Sequence, residues 1–482
     1  MTELAIPVNT GLYINGEWRK AADGAEIEVI DPATEDVLAG VASASREDCI
    51  EAVDVANAAQ PAWAARPPRE RAEILRRAFE LMTARAEDFA RLITQENGKA
   101  LRDARGEVAY AAEFFRWYAE EAVRNISDVS TSPSGKNRIL VLQQPVGVAL
   151  LITPWNFPAA MATRKIAPAL AAGCSVILKP ASETPLTALA VAALLEEAGV
   201  PPGVVNVLSS NRSSKVVPAM IDHPRLHKLS FTGSTGVGRI LLGNAAKTVV
   251  NCSMELGGNA PLIVFNDADL DTAVEGAMMA KMRNGGEACT AANRFYVEDG
   301  IADAFTKRFA EAMAAVKVGP GLEDGVELGP LVNKAAQDDM AAFVEDALGS
   351  GARVVTGGSR PNRKGYFFQP TVLGDVGDGA KMLQDEVFGP IAPIQRFDDL
   401  DTVIARANDT EYGLISYVFT EDLKKGLAVS ECLETGMVGL NRGVVSDPAA
   451  PFGGVKQSGI GREGAHDGML EYLEKKYIGV SW

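Results

Sequence analysis

Cysteine and positive charge are both scarce in this sequence of 482 residues. The five cysteines are an odd number and include no CxxC pair, so the sequence indicates neither a disulfide framework nor a zinc site. With 47 basic against 63 acidic residues, the formal charge of −16 argues against nucleic acid and anionic membranes as partners, because both bind a basic face. We therefore expect no metal, no nucleic-acid partner and a reducing compartment.

Long apolar runs are absent as well. No run approaches the roughly 18 residues that a membrane-spanning helix needs, and residues 1–11 lack the basic and apolar regions of an export signal. The 47% of hydrophobic residues is nevertheless enough for the cores of two or three domains. These features predict a globular protein of the cytoplasm that has no membrane partner.

Two glycine pairs stand beside residues that can carry chemistry. Cys289 follows Gly285-Gly286, and glycine-rich backbone can bring amide N–H groups close to a thiol that must work as a thiolate. Glu255 precedes Gly257-Gly258 at the end of an apolar run, where a lone carboxylate is costly to bury. Together they indicate covalent catalysis followed by hydrolysis. The alternative is that Cys289 is only a small buried apolar residue.

Short apolar runs alternate with helix-like stretches, which indicates βαβ units and a parallel sheet. Up to Val264 the runs are Val146 to Ile152, Ser175 to Leu178, Val204 to Leu208, Lys228 to Phe231 and Leu262 to Val264. A second alternation from Asp269 to about Phe452 has helices near Asp271 to Lys281 and Ile301 to Val316, and strands near Arg353 to Val355 and Met437 to Leu440. The predicted fold class is α/β, with ligands beyond the carboxyl ends of the strands.

Turn and capping residues predict the first elements of the chain. Asn15-Gly16 between apolar residues predicts a hairpin, because both residues tolerate positive φ. Ser45 with Asp48 three residues later is the pattern of a capping box at a helix start. A longer helix is expected to follow Pro67-Pro68 and to end at Asn97-Gly98.

Seven segments resemble the aldehyde dehydrogenase superfamily and occur in that family's order: TPWNFP, KPASETP, FTGSTGVG, ELGGNAP, GGEACTAANR, DEVFGP and PFGGVKQSGIGREG. The resemblance implies a Rossmann-type cofactor domain, an α/β catalytic domain and a small β oligomerisation arm. It places the cofactor domain at 1–124 and 145–256, the catalytic domain at 257–455 and the arm at 125–144 and 468–482, with 456–467 returning to the active site.

The resemblance implies a role for each catalytic residue. Cys289 is the nucleophile, Glu255 the general base for hydrolysis, and Asn156 an oxyanion donor beside the backbone N–H of Cys289. Lys165 and Glu463 resemble a pair that relays protons away from the base. Two alternatives remain at this stage: Asn156 could be a helix N-cap, and Lys165 with Glu463 could be a solvated ion pair.

The same resemblance implies a dinucleotide site. Its residues are Thr153, Pro154, Trp155, Lys179, Ser182, Gly233, Ser234, Gly238, Leu256, Glu386 and Phe388. Ser182 stands where NAD-preferring relatives commonly carry glutamate, and a hydroxyl can donate to a 2′-phosphate that a carboxylate would repel. Lys179 adds positive charge to the same pocket. We therefore expect NADP to be preferred and NAD to be possible, unless Ser182 is a neutral replacement that permits both.

Arg164, Arg283 and Ser446 resemble the carboxylate clamp of succinate semialdehyde dehydrogenases, because two planar guanidinium groups suit a carboxylate. The implied substrate is a short aldehyde with a distal carboxylate, first succinate semialdehyde and then glutarate semialdehyde or another short aldehyde. The alternatives are surface arginines outside the pocket, a cysteine-dependent acyl hydrolase or esterase, and a non-catalytic scaffold. Neither of the last two classes needs the dinucleotide segments.

A protruding hairpin is expected within Ile126 to Gln144, where a Ser/Pro/Gly turn precedes β-forming residues. In the resembled family such a hairpin joins the C-terminal strand, here Tyr477 to Trp482, in an arm that builds a homodimer or homotetramer. An ordinary surface hairpin is the alternative. Glu287 departs from the family, which commonly has glutamine there, and a carboxylate close to Cys289 would raise the thiol pKa.

Overall fold

Helices and strands alternate along most of the computed structural model, which describes residues 4–481. Met1 to Glu3 and Trp482, the last residue of the expected C-terminal strand, lie outside the described residues. The helices are α1 Arg46–Ala64, α2 Pro68–Ala84, α3 Ala86–Asn97, α4 Leu101–Glu121, α5 Pro158–Ala172, α6 Pro185–Ala198, α7 Ser213–Ile221, α8 Thr235–Ala245, α9 Leu270–Met282, α10 Asp299–Ala315, α11 Lys334–Gly349, α12 Leu400–Asn408, α13 Leu423–Cys432 and α14 Asp467–Leu470.

The strands form four sheets. They are β1 Leu12–Ile14, β2 Glu17–Arg19, β3 Glu26–Ile30, β4 Val37–Ala42, β5 Asp128–Thr131, β6 Arg138–Pro145, β7 Val148–Ile152, β8 Ser175–Lys179, β9 Val205–Val207, β10 Leu226–Thr232, β11 Asn251–Glu255, β12 Ala260–Val264, β13 Ala292–Glu298, β14 Arg353–Thr356, β15 Thr371–Gly374, β16 Ile391–Phe397, β17 Ile415–Phe419, β18 Met437–Leu440, β19 Gly459–Ile460 and β20 Leu473–Val480.

The first large sheet has the order β19-β11-β10-β7-β8-β9-β1-β2. Strands β11, β10, β7, β8 and β9 are parallel, as the alternation predicts, and β7 and β8 are buried along their whole length. One expectation is wrong, because the run from Leu262 to Val264 is β12 and lies in the other large sheet, while β11 takes the place beside β10. Gly257 and Gly258 separate the two strands, and a Cβ on Gly258 would come 2.5 Å from the Cys289 carbonyl oxygen. Only glycine therefore lets the chain cross there from one sheet to the other.

The second large sheet has the order β14-β15-β16-β13-β12-β17-β18 and is parallel except for β14. The predicted helices and strands of this half are confirmed as α9, α10, β14 and β18. Cys289 lies between the end of α9 and the start of β13. The catalytic cysteine of the sequence analysis is thus carried by the second sheet, and Glu255 ends a strand of the first.

The N-terminal predictions are confirmed with one exception. Asn15 and Gly16 have φ of 53° and 79° between β1 and β2, and Ser45 and Asp48 form a complete capping box on α1. The single helix expected up to Asn97 is wrong, because Arg85 leaves the helical region at φ −111° and ψ 22° and divides α2 from α3. The break lets both short helices pack on α4.

The hairpin expected within Ile126 to Gln144 is confirmed as β5 and β6, with β20 added on the other side of β6. Strand β20 begins at Leu473, four residues before the predicted start. This small sheet leaves Val129 70% and Tyr477 62% exposed. Within residues 4–481 no helix combines the length and apolar character that crossing a membrane requires.

A buried carboxylate connects α4 to the start of α5. Glu107 Oε1 accepts hydrogen bonds from the N–H groups of Ala159 and Ala160 at 2.8 and 3.2 Å, where the first turn of a helix has no partners of its own. Its Oε2 accepts from Lys99 Nζ at 2.6 Å, and Lys99 also donates to the Asn156 carbonyl at 2.5 Å. Glu107 therefore fixes the segment that carries Asn156 and the helix that carries Arg164 and Lys165.

We expect Glu107→Ala to destabilise the protein by about 3 kcal/mol, because the substitution leaves the buried Lys99 ammonium uncompensated and two amides unpaired. The measurement is the free energy of unfolding in urea. Glu113→Ala on the same helix is the matched control, since its ion pair with Arg116 is exposed and should cost less than about 1 kcal/mol. Equal losses in both variants would contradict the role of Glu107.

Candidate active site

The segment before Cys289 turns in a conformation that glycine makes possible. Asn284, Gly285 and Gly286 have φ of 56°, 64° and 82°, in the left-handed region. A Cβ on Gly286 would lie 2.3 Å from the Gly389 carbonyl oxygen. Asn284 Nδ2 donates to the Glu287 carbonyl at 2.9 Å and closes the turn. The backbone around the thiol is therefore set by close packing as well as by local hydrogen bonds.

Two cavities meet at Cys289. One is a cleft of about 610 Å³ lined by Pro154, Trp155, Asn156, Met161, Thr232, Gly233, Ser234, Leu256, Gly257, Cys289, Glu386 and Phe388. The other is a cavity of about 260 Å³ lined by Tyr110, Phe157, Met161, Arg164, Arg283, Ala288, Cys289, Thr290, Ser446 and Phe452. We call them the cleft and the inner cavity. A molecule in either one can reach the Cys289 side chain.

The charges near Cys289 act on its pKa in both directions. Burial raises the pKa of the thiol to about 12, Arg164 and Arg283 lower it, and Glu386 and Glu255 raise it. The Glu287 carboxylate is bound to another segment, because its Oε1 accepts a hydrogen bond from the Val332 N–H at 3.2 Å. The carboxylates that oppose ionisation of the thiol are thus Glu386 and Glu255, and the arginines favour ionisation.

Asn156 lines the cleft beside Cys289, and its Nδ2 donates to the Glu287 carbonyl at 3.0 Å. The N-cap alternative is wrong, because the N-cap of α5 is Phe157 and its first amides are bound by Glu107. The Asn156 Oδ1 is buried and has no partner within the described part of the chain. The side chain is therefore held against the nucleophile loop and not against the helix start.

Glu255 ends β11 and is 3% exposed. Neither carboxylate oxygen has a hydrogen-bond partner among residues 4–481. Burial first, and Glu463 second, raise its pKa well above the usual range. An unpaired buried carboxyl is costly to keep, which points to a functional and not a structural role.

Lys165 and Glu463 form a buried pair, so the solvated alternative is wrong: their side chains are 1% and 8% exposed. Lys165 Nζ donates to Glu463 Oε1 at 2.5 Å and to Ser230 Oγ at 2.9 Å, and Arg164 Nε donates to Glu463 Oε2. Burial would raise the pKa of Glu463, but Arg164 and Lys165 more than offset this and hold it below its usual range. Glu463 is therefore the shared anion of two neighbouring cations on α5.

The cleft lies at the carboxyl ends of the parallel strands. Residues 153–156 follow β7, Lys179 ends β8, Gly233 follows β10, and Leu256 follows β11. The Thr153 N–H donates to the Lys179 carbonyl at 3.2 Å and joins the first two strand ends. All the dinucleotide segments of the first sheet thus meet at one edge.

Ser234 is the N-cap of α8, and its hydroxyl accepts from the Val237 N–H at 3.4 Å. A Cβ on Gly238 would lie 2.5 Å from Leu256 Cδ2, so a larger residue there would displace Leu256 from the cleft wall. Thr232, which sequence reasoning missed, lines the cleft with a buried Oγ1 that has no partner in the described chain. Its only sequence signal is its place as the last residue of β10, directly before Gly233.

On the opposite wall, Glu386 Oε1 accepts from the Gly258 N–H at 3.0 Å, and burial raises the pKa of Glu386 to about 7. The Phe388 ring meets Trp155 edge to face, with ring centres 5.4 Å apart. Glu386 and Phe388 both lie in the loop between β15 and β16, whereas Trp155 follows β7. The cleft is therefore closed on one side by the first sheet and on the other by the second.

The two residues expected to choose between cofactors have only local partners. Lys179 Nζ donates to the Pro180 carbonyl at 3.2 Å, and burial lowers the pKa of this amine. The Ser182 hydroxyl donates to Glu183 Oε2 at 3.2 Å. Neither lines the cleft next to Cys289. Lys179 and Ser182 thus lie at the end of β8 and just after it, outside the lining of the cleft.

The three expected clamp residues all line the inner cavity. Arg164 is 2% exposed, which excludes a surface position, and its guanidinium stacks 4.0 Å from the centre of the Phe452 ring. Arg283 Nη1 lies 3.3 Å from Ser446 Oγ. Tyr110 also lines this cavity and was missed, because its place among the apolar residues of α4 is typical of core.

The comparisons with known proteins agree with this geometry. The profile of the aldehyde dehydrogenase family matches residues 18–478. The chain is 55% identical over 445 residues to a succinate-semialdehyde dehydrogenase of Paenarthrobacter nicotinovorans, covering 92% of this chain and 99% of that protein. It is 50% identical over 465 residues to the NADP(+) succinate-semialdehyde dehydrogenase of Escherichia coli, covering 96% of each.

A glutarate-semialdehyde dehydrogenase of Pseudomonas putida is 49% identical over 469 residues, covering 97% of each chain. Among solved structures, a succinate-semialdehyde dehydrogenase from Burkholderia pseudomallei superposes with a TM-score of 0.98 at 46% identity, over the full length of both chains. This likeness confirms the α/β fold class predicted from the sequence.

We expect Arg164→Met to move the pH profile of Cys289 alkylation to higher pH, because the substitution removes a charge that lowers the thiol pKa. Glu386→Gln should move it to lower pH, and its effect should appear above pH of about 7, where Glu386 ionises. The measurement is the rate of iodoacetamide labelling of Cys289, followed by mass spectrometry from pH 6 to pH 10. Arg164→Lys keeps the charge and is the control. Profiles that shift in the same direction for both charge-removing variants would refute this account.

Proposed function

The chain belongs to the aldehyde dehydrogenase family, and on that premise we propose that it oxidises succinate semialdehyde to succinate, with NADP preferred over NAD. The observation that carries the choice of substrate is the Arg164 guanidinium. Its Nη2 is buried without a partner in the described chain, and it lines the same cavity as Cys289. A buried donor of a charged group needs an acceptor, and a carboxylate is the one that a guanidinium binds best.

The inner cavity suits a short substrate. It is small beside the cleft, and Cys289 lies in its wall together with Arg164. Arg283 and Ser446 lie in the same wall and supply further donors beside Arg164. A short semialdehyde, with its aldehyde at Cys289 and its carboxylate at this group of donors, would use both.

Glutarate semialdehyde is the close alternative. It is one methylene longer than succinate semialdehyde, and one methylene changes discrimination by only ~1–3 kcal/mol. A relative named for each substrate is about half identical to this chain. Another short aldehyde without a carboxylate would leave the buried Arg164 donor unused.

In the proposed mechanism, the Cys289 thiolate attacks the aldehyde carbon and forms a C–S bond. Asn156 Nδ2 and the Cys289 backbone N–H would donate to the oxygen that becomes negative, and losing one such donor typically costs about 3 kcal/mol of barrier. Loss of a hydride from the same carbon would leave a thioester on Cys289. A nicotinamide dinucleotide held in the cleft would supply the hydride acceptor.

Hydrolysis then releases the acid and restores the thiol. The Glu255 carboxylate takes a proton from the attacking water, which its raised pKa suits. Lys165 and Glu463, joined at 2.5 Å, would take this proton onward. Glu463 is among the two largest influences on the pKa of Glu255, so the two carboxyls act as a pair.

The residues of the cleft fit a dinucleotide. Thr232 Oγ1 is a buried donor without a partner in the described chain, and Gly238 leaves no room for a side chain where α8 begins. The start of α8, with Ser234 at its N-cap, would hold the pyrophosphate through free backbone N–H groups. Glu386 and Phe388 would hold the nicotinamide ribose and ring, and Lys179 with Ser182 the adenosine ribose and its 2′-phosphate.

An acyl hydrolase, an esterase and a non-catalytic scaffold are the alternative classes. A hydrolase would use Cys289, Glu255 and Asn156 but would have no use for the cleft that Glu386 and Phe388 close. A scaffold would have no use for an unpaired buried carboxyl at Glu255. These features favour the dehydrogenase.

The division of the chain follows the same proposal. We assign the cofactor domain to 1–124 and 145–256, the catalytic domain to 257–455, and the arm to 125–144 and 468–482. The exposed apolar residues of the small sheet, with Val129 70% and Tyr477 62% exposed, support a homodimer or homotetramer built on the arm. The scarcity of cysteine supports a cytoplasmic enzyme.

Purified protein should produce reduced nicotinamide, measured at 340 nm, with kcat/KM about tenfold or more higher for succinate semialdehyde than for butyraldehyde, because only the former engages the buried guanidinium. Glutarate semialdehyde should fall between them or near the former. Cys289→Ala should abolish oxidation, and Glu255→Gln should give a burst of reduced cofactor and then stall as thioester accumulates. Equal kcat/KM for all three aldehydes would refute the proposal that the substrate carries a distal carboxylate.

The second test of the proposal concerns the cofactor. Wild type should prefer NADP, and Ser182→Glu should reverse the preference, because a carboxylate repels the 2′-phosphate and accepts from a ribose hydroxyl. Ser182→Ala tests whether the serine hydroxyl itself contributes to NADP binding, because the substitution leaves room for the 2′-phosphate but removes the hydroxyl. The measurement is kcat/KM with each cofactor at saturating aldehyde. A wild type that prefers NAD, or a Ser182→Glu variant that keeps the NADP preference, would defeat the assignment.

A further inference from the structure

Tyr110 presents a buried hydroxyl to the inner cavity. The residue lies on α4 and lines the cavity together with Cys289 and Arg164. The residue as a whole is partly exposed, but its hydroxyl oxygen is buried, and no acceptor within residues 4–481 receives the hydroxyl proton. It is the second unpartnered polar group of this cavity, after Arg164 Nη2.

Packing accounts for the ring of Tyr110 but not for its hydroxyl. The ring meets Phe114 edge to face at 4.8 Å between centres, and the Arg283 guanidinium lies 5.9 Å from the ring centre. A phenylalanine would make both contacts equally well. A buried hydroxyl without a partner costs stability that phenylalanine would avoid. Tyr118, on the same helix, also has a buried hydroxyl without a partner in the described chain, but only Tyr110 lines a cavity in which a ligand can accept from its hydroxyl.

The neighbouring groups leave the hydroxyl proton free. Arg164 and Arg283 carry donors and no acceptor, so neither can receive this proton. Even if the tyrosine oxygen accepts from Arg164, its own hydrogen still needs an acceptor inside the cavity. Burial raises the pKa of Tyr110 despite the two arginines, so the group remains a protonated donor at neutral pH.

We propose that Tyr110 is a further substrate-binding residue, whose hydroxyl donates to the distal carboxylate that Arg164 and Arg283 hold, and that it selects anionic over neutral aldehydes. This inference rests on the proposed function, since it needs a carboxylate in the inner cavity. The carboxylate completes the set by accepting from donors on α4, α5 and the nucleophile loop together. A neutral aldehyde would leave the Arg164 Nη2 and the Tyr110 hydroxyl without an acceptor.

The test is Tyr110→Phe, which removes one oxygen and keeps the ring. We expect KM for succinate semialdehyde to rise about tenfold, the size typical of a lost hydrogen bond to a charged group, while kcat changes little. Butyraldehyde kinetics should stay within about twofold of wild type, which also shows that the variant is folded. The inhibition constant of succinate, tested as a product inhibitor, should rise with the KM of the semialdehyde.

Tyr118→Phe is the matched control, because Tyr118 is a buried tyrosine on the same helix that does not line the cavity. Its preference for succinate semialdehyde over butyraldehyde should equal that of wild type. If wild type prefers the semialdehyde and Tyr110→Phe keeps the same preference, the role of Tyr110 is refuted and the substrate stands. If wild type shows no preference, the proposed substrate fails and Tyr110 has no carboxylate to bind.

Discussion

The arrangement of this site depends on one buried carboxylate, Glu463, which binds two successive cations of α5. Arg164 Nε and Lys165 Nζ donate to its two oxygens, and all three side chains are at most 8% exposed. Each ion alone would be too costly to bury, so the three hold one another in place. Glu463 accepts a hydrogen bond from the Arg164 Nε. The Arg164 Nη2 has no partner in the described chain and is therefore available to a ligand in the inner cavity. The same anion binds the Lys165 amine, whose charge lowers the pKa of Glu255 against the effect of burial. One anion thus holds the two cations that act on Cys289 and on Glu255.

The thiol lies where two electrostatic demands conflict. Arg164 and Arg283 favour the thiolate, whereas Glu255 and Glu386 oppose it. With burial added, the thiol is a weak acid. Any event that neutralises or moves one of these carboxyls, or brings positive charge into the cleft, raises the fraction of Cys289 that is thiolate. The carboxyls to which we assign hydrolysis and cofactor binding therefore also restrain the thiol.

Local chemistry explains what the sequence could predict. The hairpin at Asn15-Gly16 and the capping box at Ser45 each depend on residues within a few positions, and both were found as expected. Tertiary contacts decided the rest. Whether β12 joins the first or second sheet depends on Gly258 passing the Cys289 carbonyl, and the α5 start is capped by Glu107 from another helix.

The residues of the site divide in the same way. Asn156 and Cys289 were predicted because their segments resemble those of the aldehyde dehydrogenase family. Tyr110 was not, since a tyrosine at helical spacing among phenylalanines is usually core. Its unpartnered hydroxyl beside the inner cavity, a property of the folded chain, distinguishes it from Tyr118, whose hydroxyl is also unpartnered but does not line that cavity.

The position of Glu463 along the chain has a consequence for synthesis. It follows every other residue of the site, from Tyr110 to Ser446, and lies ten residues before β20 begins. During translation, α5 is therefore complete before Glu463 has been synthesised. Until then, Arg164 and Lys165 lack their buried counter-ion and must remain in contact with water. Cys289, Glu255 and the residues of the cleft are therefore synthesised earlier than this anion. A nascent chain can bring Arg164 and Lys165 into their final ion pairs only after both large sheets have been synthesised.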